Sequence, residues 1–518
     1  MLKPRPYQIE AVDMAIKRGN LLMAMVMGSG KTAAAVMTIS DLADHGEIES
    51  GAWFTLKTLK GQTLDEIRKW KGGSAHIIDG TGEQREFQYR QSHRYRYTIL
   101  SYDTLIHDWQ WIRQYLPLDF VVCDEISHIK GLRSKRTKRL KSMRDHVDFR
   151  FGLTGQPVEN RPEELFSVME FIDPEVLGTF EKFDRTFIVR DHWGRPQRYR
   201  NLDLLHQRMQ QAMYRKSRDD IAEFLPDRIE TVVPVVMDDH HVILMEHIAR
   251  ETLEVIDILL EGGTGGFNLA AHYGKANASS GNKAMGEIMK RISAWSLLTD
   301  DPRLIQMSAD DYDDEDVASG SSYAKELVET KRITRTMYNQ RPKLEALLEM
   351  LDEILEEDPA NKVVVFTGYT RMVTLMEEAF KEKGYRWLTL TGKTPAMKRG
   401  ENIRWFNEDP SMRIFLSSDA GAYGVDLPAG SHLISYDLPF SAGKLAQRLA
   451  RIDRTSSYHK HVNIIYLIGR DTIEEWQLEV QRHKIKVSAA FVDGQFGAKG
   501  VMDVDLESLR QFLERFLT

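Results

Sequence analysis

Six residues, Met27-Gly28-Ser29-Gly30-Lys31-Thr32, combine a glycine turn, a lysine and a hydroxyl at the spacing of a phosphate-binding loop. They lie between the apolar run Leu21 to Met27 and the helix-forming run Ala33 to Ile39, which predicts a buried strand, a turn and a helix beginning at Lys31. Such a turn aims backbone N–H groups and a positive helix end at one point. Gly28 and Gly30 would let the backbone close round a phosphate, Lys31 would reach the β- and γ-phosphates of ATP, and Thr32 would hold Mg²⁺. The strict pattern wants a glycine five residues before Gly30, where this chain has Met25. A glycine-rich strand-to-helix turn with an incidental lysine is the plain alternative.

Three further sets of residues could act on the same phosphates. Asp124-Glu125 follows the apolar run Phe120 to Cys123, and a carboxylate pair at a strand tip can divide its work. Asp124 would hold the metal's hydration shell while Glu125 polarises the attacking water. Two acids capping a following helix would look the same. The turn Thr154-Gly155-Gln156-Pro157 would sense that pair if its strand lay alongside. Gln8, upstream of the loop, has an amide that can bond both edges of adenine. Gln447, Arg451 and Arg454 are spaced to share one helical face after Pro439. Arginine's permanent charge and forked donors suit a developing γ-phosphate charge, although pairs of this kind also bind nearby acids.

Short apolar runs alternating with helices of ten or more residues must position these groups. Ala52 to Phe54, Thr98 to Leu100, Phe120 to Cys123 and Phe151 to Leu153 predict a parallel, doubly wound sheet, with ligands gathered at the carboxyl ends of its strands. A second series, Lys362 to Phe366, Trp387 to Leu390, Met412 to Leu416, His432 to Tyr436 and Asn463 to Leu467, predicts another such lobe without a phosphate loop of its own. Between them, residues 238 to 340 read as helices interrupted by Gly262 to Gly266 and Asn277 to Gly281, with an acidic and then Gly/Ser-rich loop at Asp310 to Ser322. The chain of 518 residues has room for two or three cores. No apolar stretch approaches the about 18 residues of a membrane span, and no signal-peptide pattern opens the chain. A single cysteine, Cys123, excludes internal disulfides and reads as core. A formal net charge of −7 argues against a protein that coats nucleic acid, yet Lys130 to Arg144 carries eight basic residues and no acid. That run is either a nucleic-acid track or a solvated helix face. Thr472 with Glu475 three residues on predicts a capping box for the last helix of the second lobe.

Taken in order, these stretches resemble superfamily-two helicases and translocases, and specifically the Swi/Snf-type ATPases. The resemblance rests on Arg5-Pro6-Tyr7-Gln8, Met27 to Thr32, Thr58-Leu59 with Glu66 to Trp70, Ser101-Tyr102, Asp124-Glu125 with Ile129-Lys130, and Leu153 to Asn160 with Glu164-Leu165. Later matches are Val365 to Met372, Gly392 with Arg399 and Phe406-Asn407, Ser417 to Leu427, Gln447 to Arg454, and Thr472 to Glu475. Four positions depart from the family pattern: Met25-Val26 replaces an acidic pair, Ser127 a His or Gln, Asp426 a frequent asparagine, and Asp453 a common histidine.

The resemblance implies an α/β fold of two RecA-like parallel-sheet lobes in tandem with a helical insertion between them: lobe 1 over 1–235, a helical protrusion and linker over 236–340, lobe 2 over 341–480 and a helical tail over 481–518. It implies an ATP hydrolase with Lys31, Glu125, Arg451 and Arg454 as catalytic groups. Gln8, Gly28, Gly30, Thr32, Asp124, Gln447, Gly424 and Asp426 would bind nucleotide, with Thr32 and Asp124 on Mg²⁺. Lys57, Thr58, Ser101, Tyr102, Lys130, Thr367, Arg371, Gly392 and Ser417 would touch the DNA backbone, with affinity falling steeply in salt. The implied activity is DNA-stimulated translocation on duplex DNA by a stand-alone monomeric motor of prokaryotic or viral type. Duplex or branched DNA and replication or recombination proteins would be its partners, in the cytoplasm of a prokaryotic or phage-infected cell. A strand-separating or fork-remodelling helicase and a DNA-clamping scaffold with little turnover are the alternatives.

Overall fold

Leu21 to Met25, Ala52 to Phe54 and Phe120 to Cys123 are shielded on both faces, as strands of a parallel sheet covered by helices must be. The computed structural model describes residues 3–132, 134–158, 162–190, 196–261, 283–313, 320–421, 424–492 and 506–518. The glycine interruptions at 262–266 and 277–281, the centre of the acidic loop at 314–319, Arg133, Asn160 and residues 422–423 lie outside them. The chain divides into two compact units, Met1–Leu225 with Ile485–Val501, and Pro226–Lys484 with Met502–Thr518. Among the described residues no helix is long and apolar enough to cross a membrane.

The sheet of the first unit contains β1 (Asn20–Met25), β2 (Gly51–Thr55), β3 (Ala75–Ile77), β4 (Tyr97–Ser101), β5 (Phe120–Asp124) and β6 (Phe149–Leu153). A small hairpin of β7 (Ile188–Arg190) and β8 (Pro196–Tyr199) precedes its last strand, β9 (Met213–Lys216). The order is β3-β4-β2-β5-β6-β1-β9, every pairing parallel. In register, Met23 stands beside Leu153 and Leu153 beside Asp124. The tips of β1, β6 and β5 are therefore neighbours, which long-range pairing decides and local sequence does not. The helix Lys31–Asp44 buries Ala33, Ala34, Ala35 and Val36, whose small side chains let it approach the sheet closely. Cys123 is fully buried, and burial pushes its thiol up, as expected of a core residue.

In the second unit β10 (Asp227–Val235), β11 (Val363–Thr367), β12 (Trp387–Leu390), β13 (Ile414–Ser418), β14 (His432–Ser435) and β15 (His461–Gly469) form a parallel sheet ordered β10-β15-β14-β11-β13-β12. The boundary expected at 235 is corrected here. Residues 227–235 pair with β15 along their whole length, from Asp227 beside His461 to Val235 beside Gly469. Pro226 favours an extended Leu225 and marks the change of unit. The helices Asp239–Glu261, Lys283–Asp300, Arg303–Tyr312 and Ser322–Glu329 share one core with this sheet, in which Met245, Ile248, Trp295 and Leu298 meet Val363, Val365 and Ile434. Part of the expected acidic loop is also helical: Asp310 and Asp311 end one helix, and Ser321 caps the next by accepting from Ala324 N.

A buried charge cluster ties this unit together. The Lys343 ammonium, fully shielded, donates to Asp300 Oδ1 at 2.8 Å and Glu474 Oε1 at 2.7 Å and lies 4.8 Å from the Tyr436 ring centre. Burial pushes both carboxyls up, while the two acids keep Lys343 charged against its own burial. Glu474 also accepts from Gly469 N, so the expected Thr472–Glu475 box is replaced: the Thr472 hydroxyl accepts from Glu474 N, and the neighbouring acid turns inward. Removing one partner of such a set strands the others without compensation. Lys343→Met is expected to lower unfolding free energy by about 3–5 kcal/mol. Urea denaturation followed by circular dichroism measures it, and a loss below about 1 kcal/mol, the range of an exposed pair, would contradict the prediction.

Candidate functional site

Gly28 and Gly30 adopt φ of 77° and 80°, the left-handed region that glycine tolerates, and Gly30 caps the helix that starts at Lys31. The turn is braced from behind. Tyr7 Oη donates to Ser29 O at 2.8 Å, and Gln8 Nε2 donates to Ser29 O at 3.0 Å and Gly30 O at 3.4 Å. Gln8 Oε1 accepts from Arg5 N at 2.9 Å. Both ends of this buried amide are engaged within the chain, so Gln8 supports the loop and is not poised to read adenine. Tyr7 is a residue the sequence reading missed; its place beside Gln8 was the available signal. A Cβ at Gly30 would lie 2.4 Å from Gln8 Nε2, so any larger residue, already strained at this φ, would also push the Gln8 amide aside. Lys31 Nζ donates to Met25 O at 3.1 Å and Val26 O at 3.3 Å, so the lysine lies across the mouth of the loop. Met25, where the strict pattern has glycine, is fully buried core.

At the β5 tip the two acids occupy different surroundings. Thr55 Oγ1 donates to Asp124 Oδ2 at 3.4 Å, and burial pushes the Asp124 carboxyl up while the Lys31 ammonium pulls it back. Glu125 has φ of 51°, a backbone strain of about 1–3 kcal/mol for a residue with a side chain. Its Oε1 faces Ser127 Oγ at 3.1 Å and Thr154 Oγ1 at 3.4 Å. Thr154 thus meets the acid pair, and Ser127, a departure from the family pattern, helps to orient Glu125. The loop, Lys31, the Thr32 hydroxyl and the Asp124 carboxylate form a donor set that fits a triphosphate with Mg²⁺: backbone N–H and ammonium for phosphate oxygens, hydroxyl and carboxylate oxygens for a hard cation.

The arginines of the second unit require a correction. The helix Ala442–Leu449 carries Gln447 but ends before Arg451 and Arg454, which lie in the following turns and share no helical face with it. Leu427 N bonds Arg451 O at 3.1 Å, drawing that residue out of the helix. Arg451 donates from Nε to Gln447 O at 2.7 Å and from Nη1 to Val425 O at 3.1 Å. Arg454 is ion-paired with Asp426, so both groups expected at nucleotide are engaged with each other. Gly424 has φ of 71° at the turn leading to Asp426. Asp453 is buried and pairs with Arg228 of β10 at 3.3 Å, a structural role for that departure.

The DNA candidates divide by exposure. Lys57, Thr58 and Gly392 are exposed, and Lys130 is half-buried with Glu164 3.8 Å away. Ser101, Tyr102, Thr367 and Ser417 are buried, which corrects their assignment as side-chain contacts. Three of these hydroxyls are satisfied inside the fold: Tyr102 donates to Asp124 O at 2.8 Å, Thr367 to Asp437 Oδ2 at 2.5 Å and Ser417 to Leu390 O at 3.0 Å. Arg371 is ion-paired with Asp311. In the basic run, Arg136 pairs with Asp103, Arg139 donates to Leu105 O, Lys141 pairs with Glu170 and Arg144 donates to Glu170 O, leaving the exposed Lys135 and Lys138 on the surface. Most of that run braces its own unit.

The description "SNF2-related domain" matches residues 7–303, and "Helicase conserved C-terminal domain" matches residues 342–456. The ATP-dependent DNA helicase DDM1 of Arabidopsis thaliana is 25% identical over 95% of this chain and 62% of that protein. The DNA repair and recombination protein RAD54B of Mus musculus is 25% identical over 92% of this chain and 54% of that protein. The chain therefore spans less than two thirds of the length of these relatives. The helicase domain of Hef from Pyrococcus furiosus superposes with a TM-score of 0.51 at 16% identity, covering 92% of this chain and 98% of that one, which shows the shared fold of two RecA-like lobes. With more than half its length matched by the first of these descriptions, and with that loop and acid pair at strand tips on either side of β6, the chain belongs to the SNF2-related family.

Proposed function

We propose that the chain is a DNA-stimulated ATPase that translocates along double-stranded DNA. The observation that carries this reading is the placement of the glycine turn with Lys31, the Asp124–Glu125 pair and Thr154 at the neighbouring tips of β1, β5 and β6, in a chain of this family. Backbone N–H groups of Gly28 to Thr32 and the Lys31 ammonium hold the β- and γ-phosphates of ATP. Thr32 and Asp124 would hold Mg²⁺, which neutralises phosphate charge when bound. Glu125 takes the proton of the attacking water, oriented by Ser127 and Thr154. Arg451, and Arg454 once released from Asp426, neutralise charge developing on the γ-phosphate. Each turnover would advance the contacts of Lys57, Thr58, Lys130, Arg371 and Gly392 along the DNA backbone. Residues 1–225 form the ATP-binding lobe of this reading and β11 to β15 the arginine-bearing lobe, acting as a monomer, with replication or recombination proteins as partners in a prokaryotic cell.

Phosphate release with and without plasmid DNA tests the reading, with Lys31→Ala as the control. Stimulation in the wild type and its loss in the variant are expected; equal rates in both would identify a DNA-clamping scaffold. The plant relative, an ATP-dependent DNA helicase, favours strand separation as a second reading. Strand displacement measured beside triplex displacement separates the two, and stimulation by free single strands alone would overturn translocation on duplex.

A further inference from the structure

Arg448 is 1% exposed, yet it is a full charge in the second unit's interior. Each of its donor nitrogens is occupied. Nε donates to Asp419 Oδ1 at 2.6 Å, Nη1 to Ser435 Oγ at 2.7 Å and to Asp437 O at 2.6 Å, and Nη2 to Asp437 Oδ1 at 2.8 Å. The planar fork spans two carboxylates on different strand tips, which a lysine's single ammonium does not reproduce.

Those two acids lead to different parts of the proposed machinery. Asp437 accepts from Thr367 Oγ1 at 2.5 Å and from Gly368 N at 2.7 Å, which fixes the turn between β11 and the helix Thr370–Lys383 carrying Arg371. Asp419 N bonds Thr367 O at 3.1 Å, so the tips of β13 and β11 are also joined directly. Just beyond, Ala420 packs so closely on the β12 turn that a Cβ on Gly392 would stand 3.1 Å from its own, and Arg399 Nη1 donates to Gly421 O at 3.0 Å. On the other side, Arg448 belongs to the last turn of the helix Ala442–Leu449, whose Gln447 carbonyl holds Arg451 at 2.7 Å. One buried guanidinium thus joins the turn before the Arg371 helix and the turn bearing Gly392 to the helix end whose Gln447 carbonyl holds Arg451.

Shifting the Arg371 turn or the Asp419 tip alone would break a charge-assisted hydrogen bond to Asp437 or Arg448 away from water, and the Gly392 turn packs on the Asp419 tip through Ala420, so the three are constrained to move together. We propose that Arg448 is a positioning residue that couples DNA engagement at the Arg371 and Gly392 turns to the placement of Arg451. The inference rests on the reading of the chain as a DNA-stimulated ATPase, and it assigns the coupling to one side chain.

The test uses Arg448→Lys and Asp419→Asn, with steady-state ATP hydrolysis measured without DNA and with saturating plasmid, and thermal melting as the folding control. Basal kcat and the KM for ATP are expected to stay within about twofold of wild type while the ratio of stimulated to basal rate falls by about 5- to 150-fold, the range of measured coupling between sites. Asp419, with its side chain 17% exposed, tolerates the amide and decides the outcome if Arg448→Lys does not fold. A wild-type ratio in folded Asp419→Asn overturns the inference, as does a parallel fall of basal and stimulated rates. Absence of DNA stimulation in the wild type is a distinct result, which removes the underlying reading and the inference with it.

Discussion

Glu125→Gln is expected to lower DNA-stimulated phosphate release by about 10²- to 10⁴-fold, the range of a lost general base, while ATP still binds. The separation follows from where the groups sit. The phosphate grip belongs to the glycine turn, Lys31 and Thr32, whereas the base acts on water alone. The amide keeps the size of the carboxylate, and its carbonyl oxygen can still accept from Ser127 Oγ, now 3.1 Å from Oε1. The strained backbone at φ 51° is unchanged by the substitution, so the fold should hold. Phosphate release at saturating DNA, paired with equilibrium binding of a fluorescent ATP analogue, checks both halves. Turnover within tenfold of wild type would move the base elsewhere, and loss of nucleotide binding would make Glu125 part of the grip.

The backbone of this arrangement was legible in the sequence because buried parallel strands are continuous apolar runs, and β1, β2, β5 and β11 have that form. β9 and β10 were not legible. Met213–Lys216 is too short and polar to show a period, and Asp227–Val235 is an exposed edge strand with charges and a proline, defined by its partner β15 and not by its own pattern. Residue types at the phosphate loop and the acid pair could be read from spacing, but the meeting of Thr154 with Glu125 depended on β6 lying beside β5. Side-chain direction was the least legible feature. Gln8 turns to the loop because the carbonyls of Ser29 and Gly30 need donors, and Tyr102 and Thr367 turn inward to satisfy the tips of their own sheets. Glu474 rather than Glu475 carries structural weight because Lys343, far away in sequence, needs a second carboxylate. The spacing of Gln447, Arg451 and Arg454 fits a helix, yet a tertiary hydrogen bond from Leu427 ends that helix first.

That early end separates the two candidate arginines in their chemistry, and the separation predicts unequal effects. Arg451→Ala is expected to reduce DNA-stimulated kcat by about 10³- to 10⁵-fold with little change in the KM for ATP, the loss associated with an arginine acting on the transferring phosphoryl group. Its Nε and Nη1 donate to the carbonyls of Gln447 and Val425, bonds that fix the orientation of the guanidinium. Arg454 instead faces the Asp426 carboxylate, and phosphate must displace that partner before Arg454 can contribute. Because that carboxylate must first be displaced, Arg454→Ala should cost less than the full loss of an arginine finger, and Asp426→Asn, which removes the carboxylate, should leave turnover nearer to wild type. Arg451→Lys keeps the charge but not the fork that bonds both carbonyls, so it should recover only a small part of the rate. Single-turnover hydrolysis of bound ATP reads the chemical step directly, away from product release. A folded Arg451→Ala protein hydrolysing ATP within tenfold of wild type would show that the developing charge is met by another group, with Arg454 the first to examine by the same measurement.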